Sequence, residues 1–455
     1  MRIVLFLRLE SQHDGSSDLP TPNTKGRRGL NIAQDGAASR KIVALILAAA
    51  VLASLAAWQS GLNSDDAQPE PEYVYSSLLD DNEWKNTANL RFADVDGDSV
   101  DEIMMAEPFS GRVLILDECP DCREITNLSD GLEMPLRAQN VDLNADGLVD
   151  YLVADIGSVY PTNQEVGRVV LMENDGVGGF TPVVLLDSVG RVACAEAADL
   201  DGDGDLDIVV CEFGHDNGSI MWLEQQDDFN FNAHVLDSRA GAIHAFPHDA
   251  DGDGDLDIAA VISQITEEVI LFRNQGNGNF SNQSLFTAGH AYFGMTGLDV
   301  VDLDRDGDED LMFTNGAIMD GDMPFGISPN DLHGIHLLIN DGTGNYIYEK
   351  MGALWGAYAS TALDFDNDGD LDVVVSTHQT FFYFPREPQM GMIWLENDGE
   401  MGFTRHNLSD APQYVITVDS GDLDGDGFFE LIGGSYDIPS FENGSRLFTI
   451  NSSIH

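Results

Sequence analysis

The stretch DLDGDGDLDIVV, Asp199–Val210, sets five acidic side chains within nine residues and follows them with an unbroken apolar run. Carboxylates crowded this closely repel one another unless a positive charge joins them. The β-branched run directly behind them reads as a buried strand. The stretch therefore describes a tight, charged turn that feeds straight into the core of a sheet.

It recurs. The copies are DVDGDSVDEI at 94–103, DLNADGLVDY at 142–151, DLDGDGDLDI at 199–208, DADGDGDLDI at 249–258, DLDRDGDEDL at 302–311, DFDNDGDLDV at 364–373 and DLDGDGFFEL at 422–431. Their first residues lie 48, 57, 50, 53, 62 and 58 apart, a period that suits propeller blades. Between the copies runs a second pattern of apolar strand, glycine-rich turn and aromatic residue, as in VVLMENDGVGGF at 169–180 and MIWLENDGEMGF at 392–403. The Asn/Asp-Gly pairs mark the turn. Each unit then offers four strands: A before the acidic loop, B after it, C through the WLEN-like segment and D beyond the glycine turn. The seventh unit supplies C but no D, whereas YVYSSLLDD, 73–81, has the shape of a D strand without a C before it. The expectation is an all-β, seven-bladed propeller with four-stranded blades, its ring closed by the N-terminal strand 73–81 in the last blade.

Numbered from its first acidic residue, each loop offers oxygen ligands at positions 1, 3, 5 and 9. They are Asp94, Asp96, Asp98 and Glu102; Asp142, Asn144, Asp146 and Asp150; Asp199, Asp201, Asp203 and Asp207; Asp249, Asp251, Asp253 and Asp257. The remaining three sets are Asp302, Asp304, Asp306 and Asp310; Asp364, Asp366, Asp368 and Asp372; Asp422, Asp424, Asp426 and Glu430. Calcium takes roughly six to eight oxygens from carboxylates, amides, carbonyls and water. A cage of this kind at every loop predicts up to seven Ca2+ ions. Glycine at position 6 admits the turn in six copies, and Ser99 stands there in the first. An EF-hand closes its loop further along and between helices, so the likeness to one is partial.

These loops and the WLENDG-type segments resemble the FG-GAP/VCBS repeats of integrin alpha-subunit propellers and of many exported proteins, over about 73–455. The resemblance implies a calcium-binding propeller whose acidic loops join A to B on one face, with ligands on the other. Copies 1 and 2 depart from the pattern at Ser99, Glu102, Asn144 and Ala145.

The B–C and D–A connections differ from unit to unit, as expected of a site grafted on a repeated scaffold. The longest B–C excursions are 314–334, 376–390 and 154–167. His215, His244, Glu268, Asn315, His333, His336, His378 and Arg386 lie in or beside such connections and are the candidate ligand face. No Ser-His-Asp order, phosphate loop or redox-cofactor motif stands out, so no catalytic residue is assigned. The reading is a module that binds a carbohydrate or protein ligand. A polysaccharide lyase or related carbohydrate-active enzyme on the same scaffold is the alternative, and an apolar patch at Phe381–Phe384 would favour a protein partner.

With 79 acidic and 21 basic residues the formal charge is -58, which disfavours nucleic acid and anionic membranes as partners. Residues 1–59 are different in kind. A basic flank precedes Ile42–Trp58, which carries no charge and reads as an export signal or a single membrane anchor. A polar linker, 60–72, follows. The bulk of the chain is thus expected outside the cytoplasm, either secreted, periplasmic or tethered to the cell surface through 42–58. Cys119 and Cys122 suit a small disulfide-closed loop there. Cys194 and Cys211 flank one acidic hairpin, where they either face each other or are two small buried residues.

Overall fold

The computed structural model describes residues 73–77, 87–117, 124–227, 229–264, 266–317, 329–378, 391–408, 414–435 and 447–452. The segment Ile42–Trp58, the Cys119–Cys122 loop, Arg386 and the Phe381–Phe384 run lie outside them.

Seven four-stranded sheets are formed, each antiparallel and each in the order A-B-C-D. Blade 3 shows the plan: A is Val192–Ala198, B Asp207–Glu212, C Ser219–Asp227 and D Asn230–Asp237. In every blade position 9 of the acidic loop is the first residue of strand B, from Glu102 in blade 1 to Glu430 in blade 7. Strand B is buried end to end in blades 1, 2, 4, 5 and 6, because a neighbouring blade covers each of its faces. That is why it reads as a solid apolar run and not as an alternation. The outer D strand of blade 4, Phe280–Thr287, is partly or fully exposed along its length. One short helix, Pro329–Leu332, interrupts the B–C connection of blade 5. It is too short to leave a period in the sequence.

The core is divided among the blade interfaces. Cys194, Val209 and Trp222 of blade 3 pack on Ala245, Ile258 and Phe272 of blade 4. Corresponding clusters join each successive pair of blades. The seventh joins last to first, with Leu423 and Ile432 against Leu90, Ile103 and Leu114.

The expected closure by the N-terminal strand needs correction. Tyr73–Ser77 does pair with Leu447–Ser452, from Tyr73 opposite Ser452 to Ser77 opposite Phe448. It thereby fills only the outer position of blade 7, and residues 78–81 lie outside the described residues. No sheet is closed, since all seven are open with two edges each. Blades 7 and 1 meet through their inner strands instead. The Leu90 N–H donates to Thr417 Oγ1 (3.1 Å), the Phe92 N–H to Asp419 Oδ2 (2.9 Å) and the Asp101 N–H to the Asp422 carbonyl (3.0 Å). The physical reason is that the outer edge of a blade is remote from the axis where first and last blades touch.

Cys194 and Cys211 form a disulfide between facing residues of strands A and B in blade 3. It brackets the acidic loop 199–207, and both residues are fully buried. A cross-link over 17 residues restricts the unfolded chain by about 3 kcal/mol. The Cys194→Ala/Cys211→Ala variant is expected to lose about 2–4 kcal/mol in chemical denaturation. Equal stability of variant and wild type would show that the bridge does not stabilise this blade.

Candidate metal centre

Two left-handed residues shape every acidic hairpin. Position 6 is one, as expected, with φ of +96° at Gly204 and +73° at Ser99. Position 4 is the other, at Gly202 (φ +77°) and also at Ala145, Arg305 and Asn367 (φ +55°, +57° and +59°). These reversals aim consecutive amides inward. In blade 3, Asp199 accepts the Gly202 and Gly204 N–H groups at 2.8 and 3.1 Å. Asp201 accepts the Asp203 N–H (3.1 Å), and Asp203 accepts that of Asp205 (3.0 Å). The side chains at 1, 3 and 5 are thus held in place with oxygens to spare.

Carboxylate oxygens converge within 4.8 Å of one another in Asp199–Asp201–Asp203, Asp249–Asp251–Asp253, Asp302–Asp304–Asp306 and Asp364–Asp366–Asp368. In blade 1 the trio is Asp94, Asp96 and Glu102. These clusters can hold a metal ion. Several oxygens are buried with no hydrogen-bond partner: Asp302 Oδ1, Asp364 Oδ1, Asp251 Oδ1 and Asp150 Oδ2. A buried, unpaired carboxylate oxygen is costly, and a cation between the side chains removes that cost; at Asp251 the other oxygen already lies 3.1 Å from Arg273 Nη1.

Position 9 has a second duty. Asp207 Oδ2 accepts the Leu200 N–H (3.2 Å) and Oδ1 the Gln225 N–H (2.8 Å). In blade 4, Asp257 accepts from Ala250 and Asn274 in the same way. One carboxylate so ties the loop to strand C. Burial is the main force that pushes these groups up, against the opposing hydrogen bonds: Glu102, Asp310, Asp372 and Glu430 to about 7, Asp207 and Asp257 to about 6.

The strand-C amide that caps position 9 also bridges blades. Asn274 Nδ2 donates to the Leu200 carbonyl of blade 3 (2.7 Å) and to Leu256 O (3.1 Å). Asn340 reaches Ala250 O of blade 4 (2.8 Å), and Gln225 reaches Leu143 O of blade 2 (3.4 Å). Sequence reading took the WLEN-like segment only as strand and turn, although the recurring amide was its visible signal.

Residues 142–210 and 249–313 match the FG-GAP-like repeat model. These two stretches are similar to FG-GAP-like repeats. No curated protein matches the chain. Two solved structures of BBS1N in complex with ARL6DN, one soaked with mercury and one with lead, are similar to it. Each is 11% identical over 84% of this chain and 95% of that chain, with a TM-score of 0.47. That likeness is too loose to carry a partner or an activity across.

Away from the FG-GAP-like loops, the candidate ligand residues are dispersed. His215 is exposed, beside Asp216, which exchanges hydrogen bonds with Asn163 of blade 2. Glu268 is buried and paired with Arg239. Asn315 and His336 are buried together: His336 Nε2 meets Asn315 Oδ1 (2.8 Å), and its Nδ1 meets the Tyr348 hydroxyl (2.9 Å). His333 is fully buried with neither ring nitrogen hydrogen-bonded. His378 lies edge-on to Tyr358 and Tyr414.

His244 belongs to a group on the inner strands that sequence reading missed. Arg137 of blade 2 donates to its Nδ1 (2.8 Å), and Nε2 lies 2.9 Å from the Thr296 carbonyl of blade 5. Arg137 Nη2 also lies 2.8 Å from Nε2, and burial, followed by the Arg137 charge, holds the pKa of the ring well below the usual value. Arg91 of blade 1 pairs with Glu196 of blade 3 (3.2 Å), and Ser360 of blade 6 donates to Asp299 of blade 5 (2.5 Å). Burial raises Asp299 to about 7 and Asp419 to about 6. Arg91, Glu196, Asp299 and Asp419 each stand three residues before an acidic loop, which was the available signal.

Two outcomes follow from this geometry. Asn274→Ala strands two buried carbonyls and is expected to cost about 1–3 kcal/mol in a denaturant titration, whereas an exposed substitution such as Asn232→Ala should cost under about 0.5 kcal/mol. The raised position-9 carboxyls bind protons more tightly when folded than when unfolded. Their stabilising contribution is complete below about pH 4 and is lost as pH climbs through about 6 to 7. The chelator-treated protein is thus expected to melt higher at about pH 5 than at about pH 8, and a calorimetric series showing the reverse would contradict it.

Proposed function

We propose that the acidic hairpins bind divalent cations, with calcium the best fit, and that the ion-loaded propeller is an extracytoplasmic ligand-binding module. The observation that carries the metal reading is the repeated set of converging carboxylates with buried, unpaired oxygens. All donors are oxygens, which favours a hard ion over zinc or copper. The candidate ligands remain positions 1, 3, 5 and 9 of each loop. A loop held by backbone amides at varied spacing suits calcium better than magnesium, which demands stricter octahedral geometry and retains more water.

The buried disulfide Cys194–Cys211 supports an oxidising compartment, in keeping with Ile42–Trp58 as export signal or membrane anchor. Ambient calcium there, ~10⁻³ M, suffices for sites of extracellular-module affinity. The ligand belongs on the face away from the acidic loops, where the connections vary from blade to blade. With a charge of -58, a neutral or cationic carbohydrate or protein surface is the compatible partner.

Calorimetry of the full chain tests the metal reading. Each site filled to about a hundred times its dissociation constant adds about 2.7 kcal/mol, so the melting point should climb steeply with calcium and fall with EDTA. An unchanged melting point would remove the metal from this fold.

A further inference from the structure

The strand-C residue just before the capping amide flanks position 3 of its own acidic loop. It is Glu173 in blade 2, Glu224 in blade 3, Ile339 in blade 5 and Glu396 in blade 6. Three of these four are glutamates and none is basic. Blade 4 reverses the charge. There the residue is Arg273, whose Nη1 lies 3.1 Å from Asp251 Oδ2. The guanidinium is held from the far side as well. Its Nε donates to Gln283 Oε1 (2.8 Å), and its other nitrogens reach the Thr343 and Gly344 carbonyls of blade 5. A Cβ at residue 344 would lie 2.5 Å from Arg273 Nη2, so glycine there makes room for the guanidinium.

Resting on the divalent-ion reading, we propose that blade 4 supplies its own cation. Arg273 neutralises the Asp249–Asp251–Asp253 cluster from within, and this loop stays free of divalent ion at calcium concentrations that fill blades 3 and 6. The electrostatics are local. A positive charge within contact of a ligand carboxylate opposes entry of a doubly charged ion, whereas the glutamate at the same place in blades 3 and 6 favours it. The seven loops are then unequal by design of one strand position, and Arg273 is the residue that sets the difference. It also links the loop of blade 4 to the turn of blade 5 without a metal.

The test counts bound calcium on the chelator-stripped full chain by equilibrium dialysis. Arg273→Glu should bind one ion more than wild type at the same free calcium, and adding Asp253→Asn to that variant should remove it. Should Arg273→Glu not fold, two substitutions in the otherwise wild-type chain decide alone: Asp253→Asn should leave the count unchanged, and Asp203→Asn in blade 3 should lower it by one. A count that Arg273→Glu leaves unaltered, or that Asp253→Asn lowers, overturns the proposal while the divalent-ion reading stands. A wild-type chain that binds no calcium defeats the divalent-ion reading and this proposal with it.

Discussion

The carboxylate that opens strand B organises each blade. It sits at the one point where the acidic loop, strand B and the end of strand C meet, and in blades 3, 4 and 6 it accepts a backbone N–H from each side, as Asp207 does from Leu200 and Gln225. A charged group can be buried there because those amides satisfy it. The same junction reaches outward. The side-chain amide of the capping residue bonds a carbonyl in the loop of the preceding blade, at Asn274 to Leu200 and Asn340 to Ala250. Loop, sheet and blade-to-blade spacing thus depend on one repeated contact, and the carboxylates that could hold an ion are carried beside it.

That arrangement explains how so acidic a chain holds together. The repulsion is confined to one hairpin per blade, where amides and an ion can offset it. Between blades the contacts are almost wholly apolar, with Trp222 and Phe272 in one interface and Trp394 and Phe365 in another. On the inner strands the polar residues pair across blades, Arg91 with Glu196 and Arg137 with His244. Charge is therefore sorted by radius and by face: hydrogen-bonded pairs on the inner strands, apolar packing between the sheets, and ion-seeking carboxylates along one rim. Inequality among the blades is written into the single strand position that holds Glu224 in blade 3 and Arg273 in blade 4.

Much of this was legible in the order of residues. The spacing of the acidic copies and the turn signals between them specified seven units of four strands, because a turn residue and a buried run each have a local cause. Glycine at position 6 announced the left-handed turn at Gly204. The left-handed position 4 was less legible, since Ala145, Arg305 and Asn367 occupy it as well as glycine. The pairing of Tyr73–Ser77 with the last blade could be counted out from missing strands, yet closure could not. Whether first and last blades meet by strand pairing or by packing depends on where their edges lie in space.

By itself the sequence determined the blade count, the strand order and the carboxylate sets, all of which are set by contacts within about a dozen neighbouring residues. Only the tertiary structure decided which polar side chains are free. Asn315 and His336 read as loop-end ligands but are buried, because the blades on either side cover the strands that carry them, and His333 is buried just before the second of those strands. It alone brought Arg273 against Asp251 and Gly344, since a contact spanning two blades is made by the twist and packing of whole sheets and leaves no mark on any one stretch of chain.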